Sequence, residues 1–385
     1  LGLGEMTADF INAYVLGSTG VTGAALGACA TFLYNLSMGV QDIRSGRRRA
    51  VLVGTAEAPL VPEIIEGYRA MGALGEDEAL RQLDPGRETP DYRRACRPFG
   101  YNCGFTMAES AQFTVLMDDE LALELGADIL GAVPDVFVHA DGPKKSISAP
   151  GIGNYLTVGR ATALTRQLLG EEGLQKHTAV HAHGTGTPQN RVTESAILDE
   201  VARAFGIRDW PVSAIKAFVG HSLGSAGGDQ LAAALGGFAT GRLPGITTVD
   251  EFAPDVHDER LSFSNEHRER ADLAAALLNS KGFGGNNATA LVLAPEQTRT
   301  LLERKHGGDR LADWHRRSET TRAAIRDYDE ATLRGETRPA YHFGEGVLDS
   351  EDLALSDQGI RIAGQGQPLR FDEDELLRDY SPGQD

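Results

Sequence analysis

The sequence has little cysteine: three residues in 385, Cys29, Cys96 and Cys103. They share no paired spacing of the kind that holds zinc or builds a disulfide framework. No run of about 18 apolar residues occurs, so nothing reads as a membrane-spanning helix. Nothing at the start has the form of a secretory signal, which predicts a cytoplasmic setting where a thiol stays reduced. Basic residues are in deficit, 37 Lys and Arg against 55 Asp and Glu, for a net charge of −18. That balance argues against nucleic acid as a partner, and any acidic partner would need a local basic patch. What is present, 46 glycines and 41% hydrophobic residues, suits an α/β protein large enough for two domain-sized halves.

The first half turns on residues 23–31, where small residues read as a strand ending in a sharp turn with Cys29 at its apex. Apolar residues at 32, 33, 36, 40 and 43 then predict an amphipathic helix. Cys29 at its N-terminus would meet unpaired N–H groups that favour a thiolate. A buried structural cysteine is the alternative. Further elements are expected as a helix over 5–16 and strands over 50–55, 105–117 and 130–139. The turn-rich stretch 74–100 reads as a surface excursion. From 155 helices and strands alternate regularly: helices near 157–170, 190–205 and 224–241, strands near 178–182, 211–215, 275–280 and 288–293. That alternation predicts layered sheets with helices on both sides. Boundaries are expected at 1–150, 151–295 and 296–385, the last a charged extension packed on the core.

Three further segments carry candidate chemistry. His181-Ala182-His183-Gly184-Thr185-Gly186-Thr187 follows an apolar strand, at the strand end where open α/β sheets bind ligands. Alternation puts His181 and His183 on one side and does not choose between them. Lys216 to Gly228 contains Gly220-His221-Ser222-Leu223-Gly224, which matches the nucleophile elbow of serine hydrolases around Ser222. That reading lacks a strong preceding strand, and Asp255, His257, Asp258 and His267 fall in polar segments. Asn279 to Asn287, with Gly282-Phe283-Gly284-Gly285, lies between apolar strands and could bring backbone N–H groups to an oxyanion.

Taken in order, the cysteine elbow, HGTGT, K-x3-GH and GFGG resemble a β-ketoacyl-ACP synthase of the Cys-His-His type. Residues 7–18, 99–105, 139–148, 190–195 and 321–329 resemble its FabY-type, fatty-acid-initiating subgroup, so the similarity covers essentially the whole chain. Cys103 stands where elongating synthases carry aspartate, and Ala108-Glu109-Ser110-Ala111-Gln112 where they have G-E-G-A-G. Both departures fit the initiating subgroup.

The resemblance implies a thiolase-like layered α-β-α-β-α fold whose first half is incomplete here, because family members carry a long portion before the elbow. It implies that Cys29 takes an acyl group from acetyl-CoA or another short acyl-CoA, and that malonyl-ACP then condenses with loss of CO2. His183 and His221 would stabilise the enolate, with Lys216 and Glu194 in support. Backbone at Cys29 and Phe283, flanked by Gly282 and Gly284, would form the oxyanion hole, and Phe283 the gate. No metal or other cofactor is implied. The active form would be a homodimer pairing through residues 50–55. Lys144 and Lys145, in a loop without a helix to serve, are expected to contribute to acyl-carrier-protein docking.

Overall fold

The structure, a computed structural model, describes residues 4, 6–146, 149–338 and 340–371. Ile147 and Ser148 of the 139–148 stretch and the acidic end of the chain lie outside these. The chain divides into two compact units, residues 24–337 and residues 1–23 with 338–385.

In the larger unit, ten strands can be numbered in order. They are β1 (Ala50–Glu57), β2 (Ser110–Met117), β3 (Ala132–Ala140), β4 (Thr178–His181), β5 (Trp210–Ser213), β6 (Arg242–Leu243), β7 (Leu261–Ser262), β8 (Arg268–Glu269), β9 (Ala275–Gly282) and β10 (Asn286–Leu293). Six form one mixed sheet in the order β3-β10-β9-β4-β5-β7. β4, β5, β7 and β9 run parallel, and β10 is antiparallel to both of its neighbours.

The inner strands β9 and β10 are apolar at the ends away from their hairpin, where both faces are covered. Ala275, Leu277, Leu291 and Leu293 face a core built with Val158, Ile197 and Trp210. Ala276, Leu278, Ala288, Ala290 and Val292 face the other core, with Phe32, Leu33, Leu36 and Val40 of helix Thr31–Arg44 and Leu231 and Ala234 of helix Ala226–Thr240. The antiparallel pair β1–β2 closes that second core through Val53. The order is therefore helices, sheet, helices, sheet, as the thiolase-like layering requires. Helices Pro295–His306 and Gly308–Leu333 belong to the same unit. Trp314 is buried there, its indole donating to the Ala127 carbonyl at 2.9 Å, and Arg322 pairs with Asp128.

Three expectations are corrected. Residues 23–27, ahead of the elbow, form no strand, and among the described residues no strand pairs with them. The strand expected over 105–117 begins only at Ser110, although Phe105 and Met107 make isolated bridges to Leu74 and His221. Residues 95–100 are buried, not a surface excursion. Phe99 packs against Phe263 with tilted rings whose centroids are 4.6 Å apart, and Arg97 enters the interior because Asp84 neutralises it at 2.7 Å.

In the smaller unit, helix Met6–Phe10 runs into a π-helical stretch, Ile11–Leu16, which ends at left-handed Gly17. Phe10, Tyr14, Tyr341 and Phe343 form an aromatic cluster, and the His342 N–H donates to the Tyr14 carbonyl at 2.7 Å. Residues 353–356, 359–362 and 369–370 make a three-stranded antiparallel sheet.

Candidate active site

Cys29 stands on a single 3-10 turn, Ala28–Ala30, at the head of helix Thr31–Arg44. Ala28 takes the left-handed region at φ 49°, a conformation that costs a non-glycine residue of order 1 kcal/mol or more. Thr31 clips the elbow shut: its hydroxyl donates to the Ala28 carbonyl at 2.7 Å and accepts from the Gly27 N–H at 3.0 Å. The β9–β10 hairpin closes over the elbow. A Cβ at Gly282 would come within 2.1 Å of the Gly27 carbonyl oxygen, so only glycine permits this approach. The backbone N–H groups of Phe283 and of Cys29 itself thereby face the sulfur.

Burial pushes the Cys29 thiol up to about 11, against the opposing pull of the Lys216 charge and the two N–H groups. Desolvation thus outweighs the helix-terminus effect that the sequence suggested, and the resting form is the thiol. Iodoacetamide alkylation of Cys29 is accordingly expected to rise about tenfold per pH unit between pH 7 and 9, with no plateau. A plateau below pH 8 would reveal a stabilised thiolate instead.

His183 and His221 converge on the same cavity, their ring centroids 5.4 Å apart and their planes near perpendicular. Burial, reinforced by the Lys216 charge, holds both well below the usual imidazole range, so both are neutral. Nδ1 of His221 accepts from the Leu223 N–H at 3.2 Å, which leaves the ring proton on Nε2 as a donor. Nδ1 of His183 is buried without a partner among the described residues. His181 is also buried but does not line the cavity, which resolves the choice the sequence left open.

Lys216 and Glu194 both grip His183 by its backbone rather than its ring. The buried Lys216 ammonium donates to the His183 carbonyl at 2.6 Å. The fully buried Glu194 carboxylate accepts from the N–H groups of His183 and Gly184 at 2.7 and 2.8 Å, and from the amides of Asn279 and Asn190 at 2.7 and 2.9 Å. Asn279 and Asn190 were inside recognised motifs, yet nothing in their spacing announced a shared carboxylate.

Ser222 lies outside the cavity. Its hydroxyl donates to Asp229, which also accepts from Ser110 at 2.6 Å and Gln112 at 3.0 Å. Lys216–Val219 is a helical turn, not the strand a nucleophile elbow needs, and Asp255 pairs with Arg191. The unusual 108–112 stretch therefore supplies two of the three hydroxyl or amide groups that satisfy a buried carboxylate. Phe283 is exposed at the cavity's edge and Gly284 beside it is left-handed. Lys144 is largely buried in the cavity wall, bonded to Asp141 at 3.1 Å, whereas Lys145 is exposed. Among the described residues no helix is long and apolar enough to cross a membrane.

A cysteine on a strained elbow, two neutral imidazoles and two converging backbone donors thus meet at one cavity. The chain belongs to the β-ketoacyl synthase family, a family of acyltransferases. The descriptions "Beta-ketoacyl synthase, N-terminal domain" and "Beta-ketoacyl synthase, C-terminal domain" match residues 5–122 and 133–250. It is 55% identical, over 98% of its own length, to the beta-ketoacyl-[acyl-carrier-protein] synthase FabY of Pseudomonas aeruginosa, of which it covers 60%. The crystal structure of the ketosynthase FabY from P. aeruginosa matches with a TM-score of 0.95 and 54% identity, over 99% of this chain and 60% of that one. A 3-oxoacyl-[acyl-carrier-protein] synthase 2 of Synechocystis is 29% identical over 73% of this chain and 64% of its own. The chain thus spans under two thirds of the length of these relatives.

Proposed function

We propose that this chain carries the catalytic centre of a β-ketoacyl-ACP synthase of fatty acid biosynthesis. The observation that carries the reading is the shared cavity: the Cys29 sulfur, two neutral imidazoles and the N–H groups of Cys29 and Phe283. In the first half-reaction the Cys29 sulfur attacks an acyl thioester. The C–S bond of the donor breaks, its thiol leaves with the proton that Cys29 gives up, and a new thioester joins the acyl group to Cys29. The two N–H groups stabilise the tetrahedral oxyanion. In the second, malonyl-ACP loses CO2, and the electron pair of the broken C–C bond becomes an enolate. The enolate oxygen is stabilised by imidazole N–H donors of His221 and His183, and its carbon attacks the Cys29 thioester. The β-ketoacyl chain leaves on the carrier protein, and the expelled thiolate takes up a proton to regenerate the thiol.

Acetyl-CoA is the proposed primer. The likeness to FabY, and the initiating pattern at Cys103 and 108–112, support it. Acyl carrier protein as partner, a cytoplasmic setting and a homodimer belong to the same reading. The second edge of β1, unpaired by any described strand, is a candidate seam for the dimer.

Acetyl-CoA should leave one acetyl mass on Cys29, and malonyl-ACP should then discharge it as a β-ketoacyl product. Absence of acyl mass at Cys29, with the product still formed, would sink the covalent route. Acylation by long acyl-ACPs far faster than by acetyl-CoA would make this an elongating synthase instead.

A further inference from the structure

Of the two cavity-wall lysines that the mechanism above leaves unused, Lys144 is paired with Asp141, which leaves Lys281. It stands at the end of β9, opposite Asn287 in the hairpin register and two residues before Phe283. Its partly buried ammonium donates to the Thr193 hydroxyl at 3.2 Å and makes no ion pair among the described residues. The acids near enough to act on it are already committed. Glu194 is saturated by four N–H donors, and Asp141 by Asn287 and Lys144. Burial lowers its affinity for the proton, and its charge is in turn felt at His183. A partly buried cation with two unused donors beside a reaction centre is balanced only by carboxylates engaged elsewhere, and it gains a direct partner when an anion arrives.

We infer that Lys281 binds the free carboxylate of a malonyl-type thioester and so sorts the two substrates that must enter one cavity in turn. This rests on the condensing reading only for the identity of the anion. A neutral acyl thioester gains nothing from the ammonium, whereas a dicarboxylic one gains a charge-assisted hydrogen bond. The contact exists before decarboxylation and vanishes with CO2. It therefore contributes to binding of the extender and not to the rate of the chemical step.

Malonyl-CoA and acetyl-CoA carry the same nucleotide arm, so the ratio of their dissociation constants isolates the carboxylate. Calorimetric titration of the Cys29→Ala protein and of Cys29→Ala with Lys281→Met should show the preference for malonyl-CoA falling at least tenfold. Lys281→Arg should restore most of it, and Lys281→Gln serves if the methionine variant does not fold. In turnover, Lys281→Met should raise KM for malonyl-ACP with kcat within threefold. An unchanged ratio overturns the inference. So does a parallel weakening of both ligands, which would assign the lysine to the phosphates of the shared arm. A lysine-dependent preference in a protein that forms no β-ketoacyl product would instead refute the proposed function and leave this inference standing.

Discussion

Alanine at His183 or at His221 is expected to lower condensation by about 10²–10³-fold for each, on the scale of losing one preorganised donor to a developing oxyanion. Transfer of the acyl group to Cys29 should survive in part, because its oxyanion is held by backbone N–H groups that neither substitution removes. The contrast is sharpest for His221, whose tautomer is fixed by the Leu223 N–H and whose ring hydrogen therefore points away from that bond. Single-turnover assays separate the two half-reactions: acyl mass on Cys29 for the first, β-ketoacyl product for the second. Loss of acyl-enzyme in both folded variants would remove the histidines from the enolate step.

Glu194→Ala should have the largest effect on stability. Four N–H donors lose their acceptor together, and a buried unsatisfied donor costs about 1–3 kcal/mol. The sum is comparable to the whole stability of a typical domain, on the order of 5–15 kcal/mol. Lys216 would also lose the carboxylate that most offsets its burial. The variant is expected not to fold cooperatively. Glu194→Gln keeps the volume and one acceptor but turns an amide against the donors, so it should fold with a lowered Tm. Denaturant unfolding giving the alanine variant near-native stability would show that the network contributes little.

Much of this was legible in the sequence where pattern and packing coincide. Residues 275–278 and 290–293 are apolar because both faces of the sheet are covered there, and the glycine loop between the two strands marks the hairpin directly. The amphipathic spacing after Cys29 marks helix Thr31–Arg44 in the same way. The four motifs identified the family before any coordinates. Residues 95–100 misled, because Arg97 and Pro98 look like surface chemistry until Asp84 is seen beside the guanidinium. The thiol state of Cys29 was also hidden. Helix-end electrostatics are local and readable, but desolvation depends on a hairpin more than 250 positions away in the chain. Lys281 passed as part of a glycine turn for the same reason: what matters is that its acidic neighbours, Glu194 and Asp141, are engaged by other donors, which only the fold decides.

The grip of Lys216 and Glu194 on main-chain atoms of residues 183 and 184 means that the mount and the reagent it carries are separable. No side-chain atom of His183 is needed to hold the loop together. A different group could be carried at that position with the turn undisturbed, so the scaffold can outlast a change of chemistry. A lineage of such proteins could exchange or lose the reactive group at this point and keep the shape that surrounds it.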